Sequence, residues 1–539
     1  MQGLMMDYPL TISHLLERAR RYFPAGEIVS RIPTGTHRST WGAFGERVER
    51  LAAALDRLGV RRGTRVGSFA WNGWRHLEAY FAVPCMGAVI HTINIRLFPD
   101  QLVHVINHAA DEVVLVDASL WTVFAAVRDR LPGLRHVVVM DDIGQGAPEG
   151  TIDYEALLRE APARFGWPRI DEREAAGMCY TSGTTGLPKG CVYSHRSQVL
   201  HTLAMGLKGG IGLSERDSAL LIVPMFHANA WGLPYAAAMI GLKLVLPGRF
   251  MQPGDLADLI PAERVSYIAG VPTIVMGIYQ ALRQSPRDLS SLRLVTVGGA
   301  ALPRALLEGI ERDFGVNVVQ GWGMTEMSPV GTLSALKARM DDWPVEERTR
   351  ARLKAGLPLP FVDVRIVDES GTELPWDGVA SGELQVRGPW IISSYHDEPR
   401  NAEAFQDGWF RTGDVCTIDP EGFVQVVDRS KDLVKSGGEW ISSVDLENAI
   451  MGHPDVAEAA VIAVPHPQWT ERPLACVVAR PSAQLTRESV RGYLKGRVAD
   501  WWLPDDVVAV DAIPKTSVGK FDKKVLRERF KDYVLPEVS

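Results

Sequence analysis

The densest chemistry in the sequence lies in one run, Tyr180-Thr-Ser-Gly-Thr-Thr-Gly-Leu-Pro-Lys-Gly190. It packs three glycines, four serine or threonine hydroxyls and one lysine into eleven residues. Glycines let successive backbone N–H groups turn toward an anion with no Cβ in the way. Hydroxyls donate to phosphate oxygens or ligate a hard cation, and Lys189 adds a point charge. The run does not close on Gly-Lys-Ser/Thr, so it is not the common P-loop. A flexible surface loop is the plain alternative. The density of glycine and hydroxyls directly after the apolar run Ala175 to Tyr180 argues instead for a phosphate cradle.

Such a loop needs a sheet to aim it. Upstream, short apolar runs (RVGSFAW, AVIHTIN, EVVLVD) alternate with helical stretches such as HLEAYFAVPCMG, and the pattern recurs through KLVLPG, RVSYIAGVP and LRLVTVGG. Strands alternating with helices predict parallel sheets covered by helices. After about Gly356 the texture turns to period-two alternation with turns such as Asp-Glu-Ser-Gly, which predicts an antiparallel subdomain over 355–428. A small α+β unit follows. The fold class expected is α/β: a large N-terminal domain of helix-covered sheets (1–428) with the β-rich subdomain, a hinge at 429–431, and a small mobile α+β C-terminal domain (432–539).

Bulk properties narrow the function. A chain of 539 residues is too long for one core. With 46% hydrophobic and 23% charged residues it has an ordinary globular balance, and its net charge of -7 gives no electrostatic case for nucleic acid or an anionic membrane. The five cysteines are scattered without pairing or metal-ligand spacing, as expected of buried thiols in a reducing cytoplasm. The first residues show no secretory leader pattern. The 25 residues from Ser218 to Leu242 carry no formal charge, yet Pro224, His227, Asn229, Gly232 and Pro234 interrupt them. A buried strand (Ala219 to Val223) and a buried helix (about Gly232 to Ile240) are expected there in place of a membrane span. The charged runs Glu346 to Lys354 and Lys523 to Lys531 are expected to be solvated helix faces.

Further runs follow the loop in order: Gly298-Gly-Ala-Ala301, Gly321-Trp-Gly-Met-Thr-Glu326, Trp409-Phe-Arg-Thr-Gly-Asp414, Asp428-Arg-Ser-Lys-Asp-Leu-Val-Lys-Ser-Gly-Gly-Glu-Trp440 and Pro514-Lys-Thr-Ser-Val-Gly-Lys520. With the loop, they resemble the signatures of the adenylate-forming superfamily, which contains acyl-CoA synthetases, peptide-synthetase adenylation domains and luciferases. The resemblance covers nearly the whole chain.

It implies a role for each residue. Thr181, Ser182, Gly183, Thr184, Thr185, Gly186 and Lys189 would cradle the phosphates of ATP, and Thr184 with Glu326 would hold Mg2+, a cation that favours hard oxygen ligands. Thr325 would meet the α-phosphate. Gly299, Ala300, Ala301, Gln320, Gly321 and Trp322 would form the adenine pocket, with the indole stacked on the base. Asp414 would anchor the ribose, reinforced by Arg429, while Trp409 and Phe410 are expected to be core. Lys520 would be the adenylation lysine. It would offset the repulsion between carboxylate and triphosphate and support charge on the pentacoordinate phosphorus.

His227 and Trp231 would stand between the acyl and pantetheine paths, the tryptophan as a gate, and Gly299 and Gly323 would border the acid. Lys431 would be the hinge, and Lys435, Gly437, Gly438 and Trp440 would lie on the loop that swings in for coenzyme A. The apolar segment Pro224 to Tyr235 offers no Asp or Arg for an amino acid's second charge. The resemblance is closest to bacterial medium- and long-chain fatty-acid–CoA ligases, with a homodimer implied. A ligase for 3-methylmercaptopropionate shares nearly the same segments. A stand-alone adenylation or nucleotide-binding protein is the reading from another class. Ile95, Ala228 and Ala300 depart from common residues of close relatives and bear on pocket shape.

Overall fold

The structure is a computed structural model that describes residues 1, 3–181, 187–399, 401–429, 431–436, 439–481, 483, 485–516 and 521–536. The expectations placed on Ser182, Gly183, Thr184, Thr185, Gly186, Gly437, Gly438 and Lys520 therefore lie outside the described residues.

Two helix-covered sheets form the large N-terminal domain. One has nine strands, in the order Leu357–Pro358, Val330–Leu333, Asn317–Gly323, Leu294–Gly298, Tyr267–Gly270, Ser218–Leu220, Lys243–Leu246, Glu27–Ile32 and Gly35–Thr40. Its six central strands are parallel. Leu294–Gly298 is buried at every position, as a parallel strand covered on both faces must be. The other sheet has seven strands and ends on an antiparallel hairpin, Ala175–Tyr180 with Gly190–Ser194. Its two strands end at Tyr180 and begin again at Gly190, the two ends of the glycine-rich run.

The covering helices follow their apolar spacing. Trp41–Arg57 buries Trp41, Phe44, Val48, Leu51 and Leu55, one stripe at the helical repeat. Thr40 caps it, its Oγ1 accepting from Ala43 N at 3.3 Å.

The antiparallel subdomain is built on Asp363–Val367, Ser381–Arg387, Trp409–Ile418 and Val424–Arg429. The C-terminal α+β unit has its own sheet, centred on Val456–His466 and Thr470–Ala479. Its two apolar clusters draw only on residues from Val434 onward.

Two local expectations are corrected. The strand expected over Ala219 to Val223 covers only Ser218–Leu220. Beyond it the Asn72 side chain replaces the ladder, donating to the carbonyls of Leu221 and Val223 at 2.8 and 2.9 Å and accepting from Met225 N at 2.8 Å. Nor is the run from Lys523 wholly solvated: the Lys523 side chain is 10% exposed, with Nζ 2.7 Å from Glu447 Oε1. A partner 76 residues away in sequence is invisible to local charge patterning.

The uncharged stretch packs as core, and no helix among the described residues is long and apolar enough to cross a membrane. All five cysteines are buried free thiols.

Candidate active site

A cleft of about 350 Å³ opens where the parallel strands of the nine-stranded sheet end. Ligands of open α/β sheets characteristically bind at the carboxyl ends of the strands. Gly298 and Gly299 reach it from the end of Leu294–Gly298, and Gly321, Trp322 and Gly323 from the end of Asn317–Gly323. Gly299 has φ +81°, a left-handed conformation that favours glycine. A Cβ on Gly323 would stand 2.0 Å from Pro329 O, so no side chain fits that turn.

Trp322 lines the cleft and holds Asp414, which does not line it, with Nε1 donating to Oδ2 at 2.9 Å. Asp414 lies directly across the antiparallel ladder from Arg429, whose Nε is 3.4 Å from Asp414 Oδ1. One carboxylate is thus oriented by an indole and a guanidinium from two different sheets.

Thr181 and Lys189, the flanks of the glycine-rich run, line the same cleft. Lys189 Nζ sits 4.7 Å above the Tyr395 ring and 4.0 Å from Glu398 Oε2. Thr325 and Glu326 follow Met324 in a short helical turn and are buried at the cleft wall. Glu326 Oε1 accepts from the Tyr395 hydroxyl at 2.7 Å. Burial, then the neighbouring Glu326 charge, pushes the Tyr395 hydroxyl far above its ordinary range, so it stays a donor. Thr325 is held through its carbonyl, which accepts from the Tyr193 hydroxyl at 2.6 Å.

His227 and Trp231 also face the cleft. Between them the chain makes a left-handed turn. Ala228, Asn229, Ala230, Trp231 and Gly232 have φ of 43, 51, 51, 55 and 75°. Four of those five carry a Cβ, and each such residue costs about 1–2 kcal/mol. The turn is held by Ala230 N donating to His227 O at 2.9 Å and by the Cys179 thiol donating to Asn229 Oδ1 at 3.2 Å. Trp231, with Met205 and Ile211, stands between the cleft and a smaller apolar chamber of about 10 Å³, walled by Leu213, Leu221, Val223, Ala236, Tyr267 and Ala269.

Lys431 lines the cleft from the far side, and burial lowers its pKa from the ordinary lysine range. Ala300, Ala301 and Gln320 do not line it. Gln320 Oε1 accepts instead from Leu302 N at 3.2 Å, fixing the chain behind the pocket. Lys435 and Trp440 also lie away from the cleft, stacked on each other with Nζ 4.8 Å from the ring.

Trp409, expected as core, is only half-buried, clasped between the guanidinium groups of Arg365 and Arg387 at 4.5 and 4.4 Å. Phe410 is core and also touches the cleft. Sequence reasoning missed Tyr395, Met205 and Ile211. None belongs to a run singled out above, although Ile211 stands in Lys208-Gly-Gly-Ile-Gly212, and Tyr395 reaches Glu326 across 69 residues.

This lining suits an anionic nucleotide: Lys189, Arg429 and Lys431 bring positive charge, Glu326 a carboxylate and Trp322 a flat aromatic ring. Sequence comparison agrees. The family model of the AMP-binding enzyme matches residues 16–396, and that of the AMP-binding enzyme C-terminal domain matches residues 445–520. The chain is 49% identical to a long-chain-fatty-acid–CoA ligase of Thermus thermophilus, over 98% of this chain and 97% of that one. It is 45% identical to a 3-methylmercaptopropionyl-CoA ligase of Ruegeria lacuscaerulensis, covering 99% of each. With a medium-chain-fatty-acid–CoA ligase of Ectopseudomonas oleovorans it shares 43% identity, over 100% and 99%. Among solved structures, ATP-bound MatB from Rhodopseudomonas palustris superposes with a TM-score of 0.83 at 26% identity, covering 97% of this chain and 99% of that one.

Proposed function

The chain belongs to the AMP-binding enzyme family, and from that premise we propose that it is an ATP-dependent acyl-CoA ligase acting on a medium- or long-chain fatty acid. The reaction forms acyl-AMP, then passes the acyl group to coenzyme A with release of AMP and pyrophosphate. The observation that carries this reading is the convergence of Lys189, Glu326, Trp322 and Arg429 on a single cleft, with Asp414 hydrogen-bonded to Trp322. The relatives named as fatty-acid–CoA ligases, similar along the whole chain, support it.

In the first half-reaction the acid's carboxylate attacks the α-phosphorus of ATP. Both reactants are anionic, so the chain's part is to bring fixed positive charge and donors to the phosphates. Lys189 and the glycine-rich run take the phosphates, Asp414 with Arg429 takes the ribose, and Trp322 packs on the base. Lys520 brings the mobile cation.

Mg2+ fits the site. Glu326 offers a buried hard oxygen at the cleft wall, and no described group of three His, Cys, Asp or Glu side chains could hold a metal unaided. That suits a cation carried mostly by phosphates and water, with Glu326 and Thr184 as its protein ligands. When bound it neutralises phosphate charge.

The thiol half-reaction follows a swing of the small domain about 429–431, with Lys435, Gly437, Gly438 and Trp440 forming the thiol passage and His227 and Trp231 the acyl wall. The domains would divide as 1–428 and 432–539. The protein would act in the cytoplasm as a homodimer.

A second reading, a ligase for 3-methylmercaptopropionate, is favoured by one observation: a relative of that name shares 45% identity over 99% of each chain.

The test is AMP release with ATP, coenzyme A and acids of rising chain length. Release that needs both acid and coenzyme A is expected. Tight ATP binding without turnover would mark a nucleotide-binding protein. A kcat/KM peak at 3-methylmercaptopropionate over every alkanoate would select the second reading. In the same assay Lys520→Ala should abolish pyrophosphate release, and near wild-type release would refute its assignment.

A further inference from the structure

Lys523 begins the helix Lys523–Arg529, the first described helix after the segment that carries Lys520. Its ammonium is 2.7 Å from Glu447 Oε1 and donates to Ser443 Oγ at 2.5 Å. Ser443 passes the link on. Its backbone N donates to Asp428 Oδ2 at 2.7 Å, and its hydroxyl donates to the same oxygen. Asp428 is 1% exposed and stands at the end of Val424–Arg429, the strand that delivers Arg429 to Asp414 and leads to Lys431 in the cleft. The network is fully satisfied: Glu447 Oε1 also accepts from Val461 N at 2.7 Å, and Asp428 Oδ1 from Arg429 N at 2.7 Å. One helical turn on, Arg527 Nη1 lies 2.5 Å from Asp432 Oδ1. The helix is therefore stapled twice to the stretch 428–432.

A buried ion cluster is a poor device for stability alone, because desolvation consumes much of its attraction. Its better attested use is to fix one geometry. The geometry at stake is short-range. Lys520 is three residues before Lys523, a reach of about 11 Å at full extension. Burial works against the Lys523 charge, but Glu447 and then Asp428 outweigh it and keep the ammonium protonated.

We propose that Lys523 is a positioning residue for adenylate formation: seated on Ser443, Glu447 and Asp428, it roots the segment carrying Lys520 to the strand end that enters the cleft. The proposal rests on the ligase reading above.

The experiment compares full-length wild type, Lys523→Met and Lys523→Arg in two assays. One is pyrophosphate release with ATP and hexanoic acid. The other is thioester formation from coenzyme A and chemically prepared hexanoyl-AMP, which bypasses the first step. Lys523→Met should lose about tenfold or more of kcat for pyrophosphate release, with KM for ATP little changed, because small misplacements of a catalytic cation are costly. Its thioester formation should stay near wild type, and Lys523→Arg should restore most of the lost rate. Equal loss in both assays, or no loss in either, overturns the proposal. If Lys523→Met does not fold, Ser443→Ala, which removes only the bridging hydroxyl, must give the same split. A wild type inert in both assays overturns the ligase reading itself.

Discussion

Trp322 at the cleft wall donates its indole N–H to Asp414 Oδ2 at 2.9 Å. The carboxylate keeps its orientation through Trp322 on one oxygen and faces Arg429 with the other. A ribose would therefore meet a preset acceptor. Asp414→Asn should raise KM for ATP about tenfold, the scale of one hydrogen bond to a charged group. Trp322→Phe keeps an aromatic ring while losing the N–H and part of the stacking face, and it leaves the carboxylate in place, so its effect should be smaller. An unchanged KM in Asp414→Asn would remove Asp414 from the nucleotide site.

Tyr395 bears on Glu326 in a comparable way. Its hydroxyl donates to Glu326 Oε1 at 2.7 Å and fixes how the carboxylate faces the cleft. Partners that orient a metal-binding carboxylate are commonly worth 10–100-fold in metal affinity. Tyr395→Phe should raise the free Mg2+ needed for half-maximal activity about tenfold, with thermal stability nearly constant. A Mg2+ titration at fixed ATP decides it, and a superimposable curve would separate Glu326 from the cation.

Much of this was legible in the sequence where the signal was local. The glycine-rich run stands out because glycines and hydroxyls cluster within eleven residues, and its flanks Thr181 and Lys189 do line the cleft. Leu294–Gly298, Asp363–Val367 and Ser381–Arg387 read correctly because continuous burial and period-two alternation follow directly from parallel and antiparallel pairing. Long-range partnership left no local trace. Lys523 looks like any helix-surface lysine until Glu447 is brought beside it, and Trp409 looks like core until Arg365 and Arg387 enclose it. The left-handed turn from Ala228 to Gly232 had only Asn229 and Gly232 to announce it, and alanines in that conformation follow no propensity rule.

That turn sets up a prediction about chain length. Trp231, with Met205 and Ile211, separates the chamber bounded by Leu221, Val223 and Tyr267 from the main cleft. Trp231→Ala should join the two spaces and leave the backbone turn as it is, since alanine already occupies that conformation at 228 and 230. The ratio of kcat/KM for dodecanoate over hexanoate should rise about tenfold, the scale on which apolar pockets discriminate. If the ratio stays flat while both values fall, the acyl chain runs elsewhere.

Asp445 gives a stability prediction with a definite sign. It lies on the helix Ser443–Met451, and its pKa is pushed up from 3.8 to about 6, first by burial and then by the nearby Asp428 charge. A raised carboxyl favours the protonated folded state. Its contribution is fully present below the unfolded value near 4 and is lost as pH rises through about 6. Across that window the wild type should give up about 2 kcal/mol from this one group. Asp445→Asn cannot ionise and should not. Melting temperatures of the two proteins should therefore be close at pH 4 and separate by pH 7, with the variant higher by a few degrees. Ser442 Oγ accepts from the backbone N of residue 445 at 3.0 Å, so the helix cap survives the substitution. A gap that is constant from pH 4 to 7, or one that favours the wild type at pH 7, would mean that the carboxyl does not titrate in that window.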